Sequence, residues 1–145
     1  MAERPQPPSR ADFPVFREIT TRWMDNDMYG HVNNATYYSY LDTIVTTHLV
    51  DEGFLSPGKS LVIGLTVASS CAYFGSLAYP DPVIGGLRVS KVGNSSVTYE
   101  VGLFRGDADV AAALGSFTHV YADAETRRPV PLPDNLRAIV EALAV

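Results

Sequence analysis

The segment RWMDNDMYGHVNN, Arg22 to Asn34, brings two acids, a glycine, a histidine and a closing pair of asparagines into thirteen positions, and an amphipathic stretch follows at once. Asn33 or Asn34 suits a helix N-cap, because its side-chain oxygen can accept a free backbone N–H of the first turn. The segment therefore reads as strand, tight loop and helix, with carboxylates just ahead of a positive helix end. Unpaired N–H donors and a partial positive charge suit a carbonyl oxygen about to become an oxyanion. A carboxylate beside such donors describes a hydrolytic site. It describes a capped loop equally well, so the elements around it have to decide.

Those elements alternate in character along the chain. Pro14 to Trp23 reads as a strand entering the loop. From Ala35 to about Glu52, Tyr37, Leu41, Ile44, Val45, His48 and Leu49 recur at helical spacing, and Gly53 is placed to end the helix. Leu61 to Phe74 is rich in β-branched and small residues and reads as a strand, bent at Gly64. After a turn at Tyr79–Pro82, Val83, Leu87 and Val89 alternate with Arg88 and Ser90. Gly93-Asn94-Ser95-Ser96 makes a hairpin turn, and Val97, Tyr99, Val101 and Leu103 alternate in the next strand. Gly106-Asp107 turns into a strand over about Asp109 to Tyr121. Pro129, Pro131 and Pro133 form a stiff connector to a short helix capped by Asp134. The fold class is α+β, one long helix packed on an antiparallel sheet.

At 145 residues this is one domain, residues 14–145, behind a loose N-terminal arm over 1–13. A net charge of -5 with no basic block argues against nucleic acid. The single cysteine, Cys71, excludes an internal disulfide framework and fits a reducing cytosol. The N-terminus lacks the apolar run of a signal peptide, and no apolar stretch is long enough to span a bilayer, so the expectation is a cytoplasmic protein without a membrane partner.

Asp25-Asn26-Asp27, Gly30-His31-Val32-Asn33-Asn34, Tyr37, Val92 to Ser96, Arg127-Arg128-Pro129 and Leu132-Pro133, in this element order, resemble the hotdog-fold thioesterases of the 4-hydroxybenzoyl-CoA thioesterase type. The resemblance covers nearly all of the chain beyond the arm. It implies a sheet wrapped around a central helix, edge-to-edge homodimers or homotetramers with active sites at the interface, and acyl-CoA substrates, less often acyl carrier protein thioesters. It implies no cofactor and no metal. Carried over by residue, the catalytic carboxylate is Asp27, and the backbone N–H that polarises the carbonyl belongs to Asn34. His31 matches the histidine of the plant acyl-carrier-protein thioesterases, although Tyr29 stands where their pattern has asparagine.

Thioester hydrolysis needs a nucleophile and a stabiliser of negative charge. Asp27 would act as general base on water or attack directly to form an anhydride. Gly30 would let the loop turn against the ligand, with Asn33 and Tyr37 as further contacts. Arg88, Lys91, Arg127 and Arg128 would meet the CoA phosphates, with Lys59 an outlier. Val62, Leu65 and Phe74 would help line an apolar slot. Each has a structural reading beside it: Asp25 as a loop residue, Asn33 as a cap, Tyr37 and Tyr40 as helix packing, Cys71 as an inert thiol, His48 and His119 as structural histidines. Two other functions compete with thioester hydrolysis. One is a non-catalytic acyl-thioester-binding module. The other, a hydratase or dehydratase, fits poorly, since His31 follows Asp27 by four positions rather than five and no Asn-Pro pair is present.

Overall fold

Alternation decides the second half of the chain. Val97, Tyr99, Val101 and Leu103 are all buried, as are Val83, Leu87 and Val89, and these rows form one face of a sheet. The computed structural model describes residues 6–56 and 58–145. Its elements run β1 (Val15–Ile19), α1 (Asn34–Asp51), β2 (Val62–Tyr73), β3 (Val83–Val92), β4 (Ser96–Arg105), β5 (Ala113–Asp123) and α2 (Asp134–Ala142). The five strands pair antiparallel in the order β1-β3-β4-β5-β2, which leaves β1 and β2 at the edges. The α+β architecture expected from the sequence is the one observed.

Helix α1 buries Tyr37, Tyr40, Leu41, Ile44, Val45, His48 and Leu49 against the sheet. Two glycines let it approach closely. A Cβ on Gly115 would lie 2.2 Å from Leu41 Cδ1, and one on Gly85 would lie 2.5 Å from Ile44. Small α2 closes the end of β3, burying Leu136 and Val140, with the Leu143 carbonyl accepting the Val89 N–H at 2.9 Å.

Several expectations shift. The first strand stops at Ile19, because Trp23–Asp25 forms a 3-10 turn in which Asp25 accepts the Arg22 N–H at 2.9 Å. The irregularity in β2 falls between Thr66 and Ala68, not at Gly64. β5 begins at Ala113, since residues 109–111 are tied to the arm by the Arg10 N–H to Asp109 O and Ala111 N–H to Pro8 O bonds. Asp134 does not cap α2: Pro133 holds the cap position, and Asp134 is the first helical residue. The arm is also not loose over residues 8–13. Phe13 is buried on the sheet face opposite α1, against Phe104, where a Cβ on Gly86 or Gly102 would collide with its ring. Residues 1–5 lie outside the described residues.

Candidate active site

The loop before α1 is a small hairpin. Asp27 N–H donates to His31 O at 2.8 Å, Gly30 N–H donates to Asp27 O at 3.0 Å, and Asn26 pairs with Val32. Gly30 sits at φ +80°, a left-handed conformation that favours glycine, so its place in the motif is a backbone requirement. The loop is pinned from outside as well. Val32 N–H donates to Leu77 O at 2.7 Å, and the Asn26 side chain bonds both the N–H and the carbonyl of Tyr79.

The two aspartates have separate environments. Asp25 is 2% exposed; it accepts the Tyr40 hydroxyl at 2.6 Å and the Arg22 guanidinium at 3.2 Å, and its carbonyl takes the Asn33 N–H. Burial alone would raise its pKa. The Tyr40 hydroxyl, the Arg22 N–H and the guanidinium outweigh burial and hold the carboxyl below its ordinary range. Asp25 therefore ties the 3-10 turn, the loop and the helix together. Asp27 is half-buried on the turn; its Oδ1 accepts the Tyr29 N–H at 2.8 Å, and among the described residues no protein donor meets Oδ2.

Asn33 is the N-cap of α1, its side chain accepting the Ala35 N–H at 2.8 Å and its carbonyl the Thr36 N–H at 2.9 Å. That leaves the Asn34 N–H, at the first helical position, without an acceptor among the described residues. The Asn34 side chain accepts the hydroxyl of Tyr73, at the end of β2. An unpaired helix N–H thus follows a loop bearing a half-free carboxylate.

The remaining candidates separate. His31 is exposed on the hairpin; its backbone carbonyl accepts the Asp27 N–H, but its imidazole makes no hydrogen bond to the Asp27 carboxylate. Tyr37 is buried, its hydroxyl accepting the Leu77 N–H at 3.3 Å and its ring lying edge-on to Tyr73 at 4.9 Å; it packs the helix rather than facing open space. Burial raises its pKa. Arg88 points to the sheet face opposite α1, where it pairs with Glu100 at 2.9 Å and lies over the Phe13 ring, so it is committed to structure. Lys91 is exposed near the β3–β4 hairpin, and Arg128 is exposed beyond β5.

Arg127 shares a cavity with another cation. It adopts φ +63° and, with Lys59, lines a cavity of about 520 Å³ between α1 and the β2–β5 pair. Val45, Leu49, Ile63, Gly64, His119 and Tyr121 form much of its wall. The slot expected at Val62, Leu65 and Phe74 is not this cavity. Leu65 pairs with Val120, one residue out of phase with the Thr66–His119 pair, and so faces away from α1. Sequence reading set Lys59 apart as an outlier, took His119 as structural, and did not single out Tyr73. The alternation of Phe117, His119 and Tyr121 puts these three on one face of β5, and the structure shows that face to be the α1 side. Among the described residues, no three His, Cys, Asp or Glu side chains converge to hold a metal ion, and no helix is long and apolar enough to cross a membrane.

Comparison with known proteins agrees with this architecture. The protein YsmA of Bacillus subtilis is 24% identical over 89 residues, 61% of this chain and 60% of that protein, so the match spans less than two thirds of the relative. The PA5185 protein of Pseudomonas aeruginosa superposes with a TM-score of 0.93 at 47% identity, covering 96% of this chain and 97% of that one. Slr0204, a 1,4-dihydroxy-2-naphthoyl-CoA thioesterase from Synechocystis, superposes at 0.77 with 16% identity over 86% and 93% of the two chains, a likeness of fold. The thioesterase-like superfamily profile matches residues 21–140. The chain belongs to the thioesterase-like superfamily and has its hotdog fold.

Proposed function

We propose that this protein hydrolyses an acyl-CoA thioester to the free acid and CoA. The observation that carries this reading is that one hairpin-to-helix segment holds both the half-free Asp27 carboxylate and, at the start of α1, the unclaimed Asn34 N–H. In the reaction the thioester carbonyl accepts the Asn34 N–H, and the helix dipole favours the negative charge that builds on its oxygen. Asp27 takes a proton from water, or attacks the carbonyl itself and is released by water. CoA leaves as the thiolate. His31 contributes no proton in this scheme, because its imidazole makes no hydrogen bond to the Asp27 carboxylate.

The working unit in this reading is a cytosolic homodimer. β2 is an edge strand, and residues 66–70 are exposed on both faces, an edge left open to pair. Two-fold antiparallel pairing centred on Ala68 sets Tyr73 of one copy across from Ile63 of the other. The Asn34 end of α1, bonded to Tyr73, then adjoins the other copy's cavity. Within one chain that cavity is remote: Val45 and Leu49 lie about 16 and 22 Å along α1 from Asn34. Lys59 and Arg127 at its rim are the cations that would meet the anionic end of an entering thioester.

The test is a hydrolysis assay over CoA esters of graded chain length and aromatic character, with parallel acyl carrier protein esters and a thiol-trapping dye. Release of CoA supports the reading. Tight binding of the esters without thiol release would make the protein a non-catalytic acyl-thioester binder instead.

A further inference from the structure

His119 is 8% exposed, and its Nε2 is buried without a hydrogen-bond partner. Such a group costs stability unless something repays it. The ring stands among Tyr99, Phe117 and Tyr121, with centroids 5.3, 6.1 and 6.1 Å away. The hydroxyls of Tyr99 and Tyr121 are bonded to each other at 2.7 Å, and neither makes a hydrogen bond to Nε2. Burial pushes the imidazole toward its neutral form, against a weaker opposing pull from Asp42. A neutral imidazole has one N–H and one lone pair. Among aromatic rings the Nε2 position suits the N–H, which is attracted to negative ring faces that repel a lone pair. The lone pair then falls on Nδ1.

Nδ1 is turned toward β2 at Gly64. A Cβ there would lie 3.1 Å from Nδ1 and 3.0 Å from the Tyr121 ring, so the glycine keeps a notch open over both. Gly64, His119 and Tyr121 line the same cavity, whose other walls include Val45, Leu49 and Ile63. The cavity thus sets this apolar wall beside polar groups, Asp42, Thr46, Lys59, Thr66 and Arg127 among them, with His119 Nδ1 at the Gly64 notch. Its size falls within the range of small-molecule sites.

We propose that this cavity receives the acyl part of the substrate and that His119 Nδ1 accepts a hydrogen bond from a hydroxyl on it, making His119 the residue that selects hydroxylated over plain acyl groups. The proposal rests on the thioesterase reading for the word acyl. The binding chemistry does not depend on it, so two arms test them apart.

The first arm compares kcat/KM for 4-hydroxyphenylacetyl-CoA and phenylacetyl-CoA. The wild type favours the hydroxylated ester by at least about tenfold, and His119→Phe, which keeps the ring but removes both nitrogens, brings the ratio near one. A wild-type ratio near one, or a ratio unchanged in His119→Phe, overturns the proposal. The second arm needs no turnover: 4-ethylphenol and ethylbenzene are titrated while the His119 side-chain ¹⁵N resonances are followed. Tighter binding of the phenol with a shift at Nδ1 supports the proposal even where neither ester is hydrolysed, which would count only against the thioesterase reading. Equal affinities, or no shift at Nδ1, overturn it. Should His119→Phe fail to fold, Gly64→Val fills the notch and leaves the imidazole in place. It should weaken 4-ethylphenol binding at least about tenfold, and wild-type affinity in that variant also overturns the proposal.

Discussion

Asp25 takes the Tyr40 hydroxyl at 2.6 Å in a buried setting, whereas Asp27, two positions on, keeps half of its carboxylate unpaired on the turn. The difference lies in the backbone: the 3-10 turn at Trp23–Asp25 aims Asp25 at the helix, and the hairpin at Asp27–Gly30 aims Asp27 outward. Removing the Tyr40 hydroxyl should therefore harm the fold through Asp25. Tyr40→Phe strips one donor from a buried carboxylate and should cost about 1–3 kcal/mol at neutral pH. Asp25 has a folded pKa below 3.8, so its contribution is present above that value and is lost as pH falls through the lower folded value. The melting-temperature gap between wild type and Tyr40→Phe should accordingly be wider at pH 7 than at pH 3, and a gap that widened in acid would refute this assignment. The sequence made the Asn33 cap and the need for glycine at position 30 legible, because each follows from local backbone geometry. It could not show Tyr40 reaching Asp25 across fifteen residues, which depends on how the helix packs back over the loop.

At the scale of elements, α1 and the sheet are held at close range by Gly115 and Gly85, and that spacing sets where the helix N-terminus sits. A methyl at Gly115 would meet the buried Leu41 at 2.2 Å, so Gly115→Ala should force repacking and cost about 1–3 kcal/mol. Chemical denaturation measures this directly; an unchanged midpoint would mean that Leu41 has room to move aside. Hydrophobic periodicity made the helix, β3 and β4 legible nearly to the residue, since one buried face imposes a period of 3.6 or 2, and composition did the same for β2. The ends of β1 and β5 were not, because they depend on partners remote in sequence. The arm looked loose from its prolines and charges, yet Phe13 fills the space over Gly86 and Gly102 on the outer sheet face. No local pattern announces that a single aromatic will cover a distant sheet.

For the whole molecule, the proposed hydrolysis of a polyanionic thioester by a chain of net charge -5 calls for a local positive rim. The sequence offered Arg88, Lys91, Arg127 and Arg128 as one cluster, but strand alternation turns Arg88 to the opposite face, into Glu100. Lys59 and Arg127, far apart in sequence, share the cavity instead. Replacing both by alanine should raise KM for acyl-CoA about tenfold or more at low salt and leave kcat within a few-fold, because contacts far from the carbonyl serve ground and transition states alike. An unchanged KM would put the nucleotide elsewhere. The open β2 edge leads to a second expectation: light scattering at micromolar concentration should give a dimer mass or a multiple of it, and a monomer mass would remove the shared-site arrangement.

The central claim is that Asp27 drives hydrolysis beside the Asn34 N–H, and a single substitution measures it. Asp27→Asn keeps the side chain's size and its acceptor for the Tyr29 N–H but removes the base and nucleophile. Turnover of an acyl-CoA that the wild type hydrolyses should fall at least about 100-fold, while the melting temperature and the affinity for a non-hydrolysable acyl-CoA analogue stay near wild type. A kcat close to wild type in Asp27→Asn would contradict the account and leave Asp27 as no more than an anion beside a helix end.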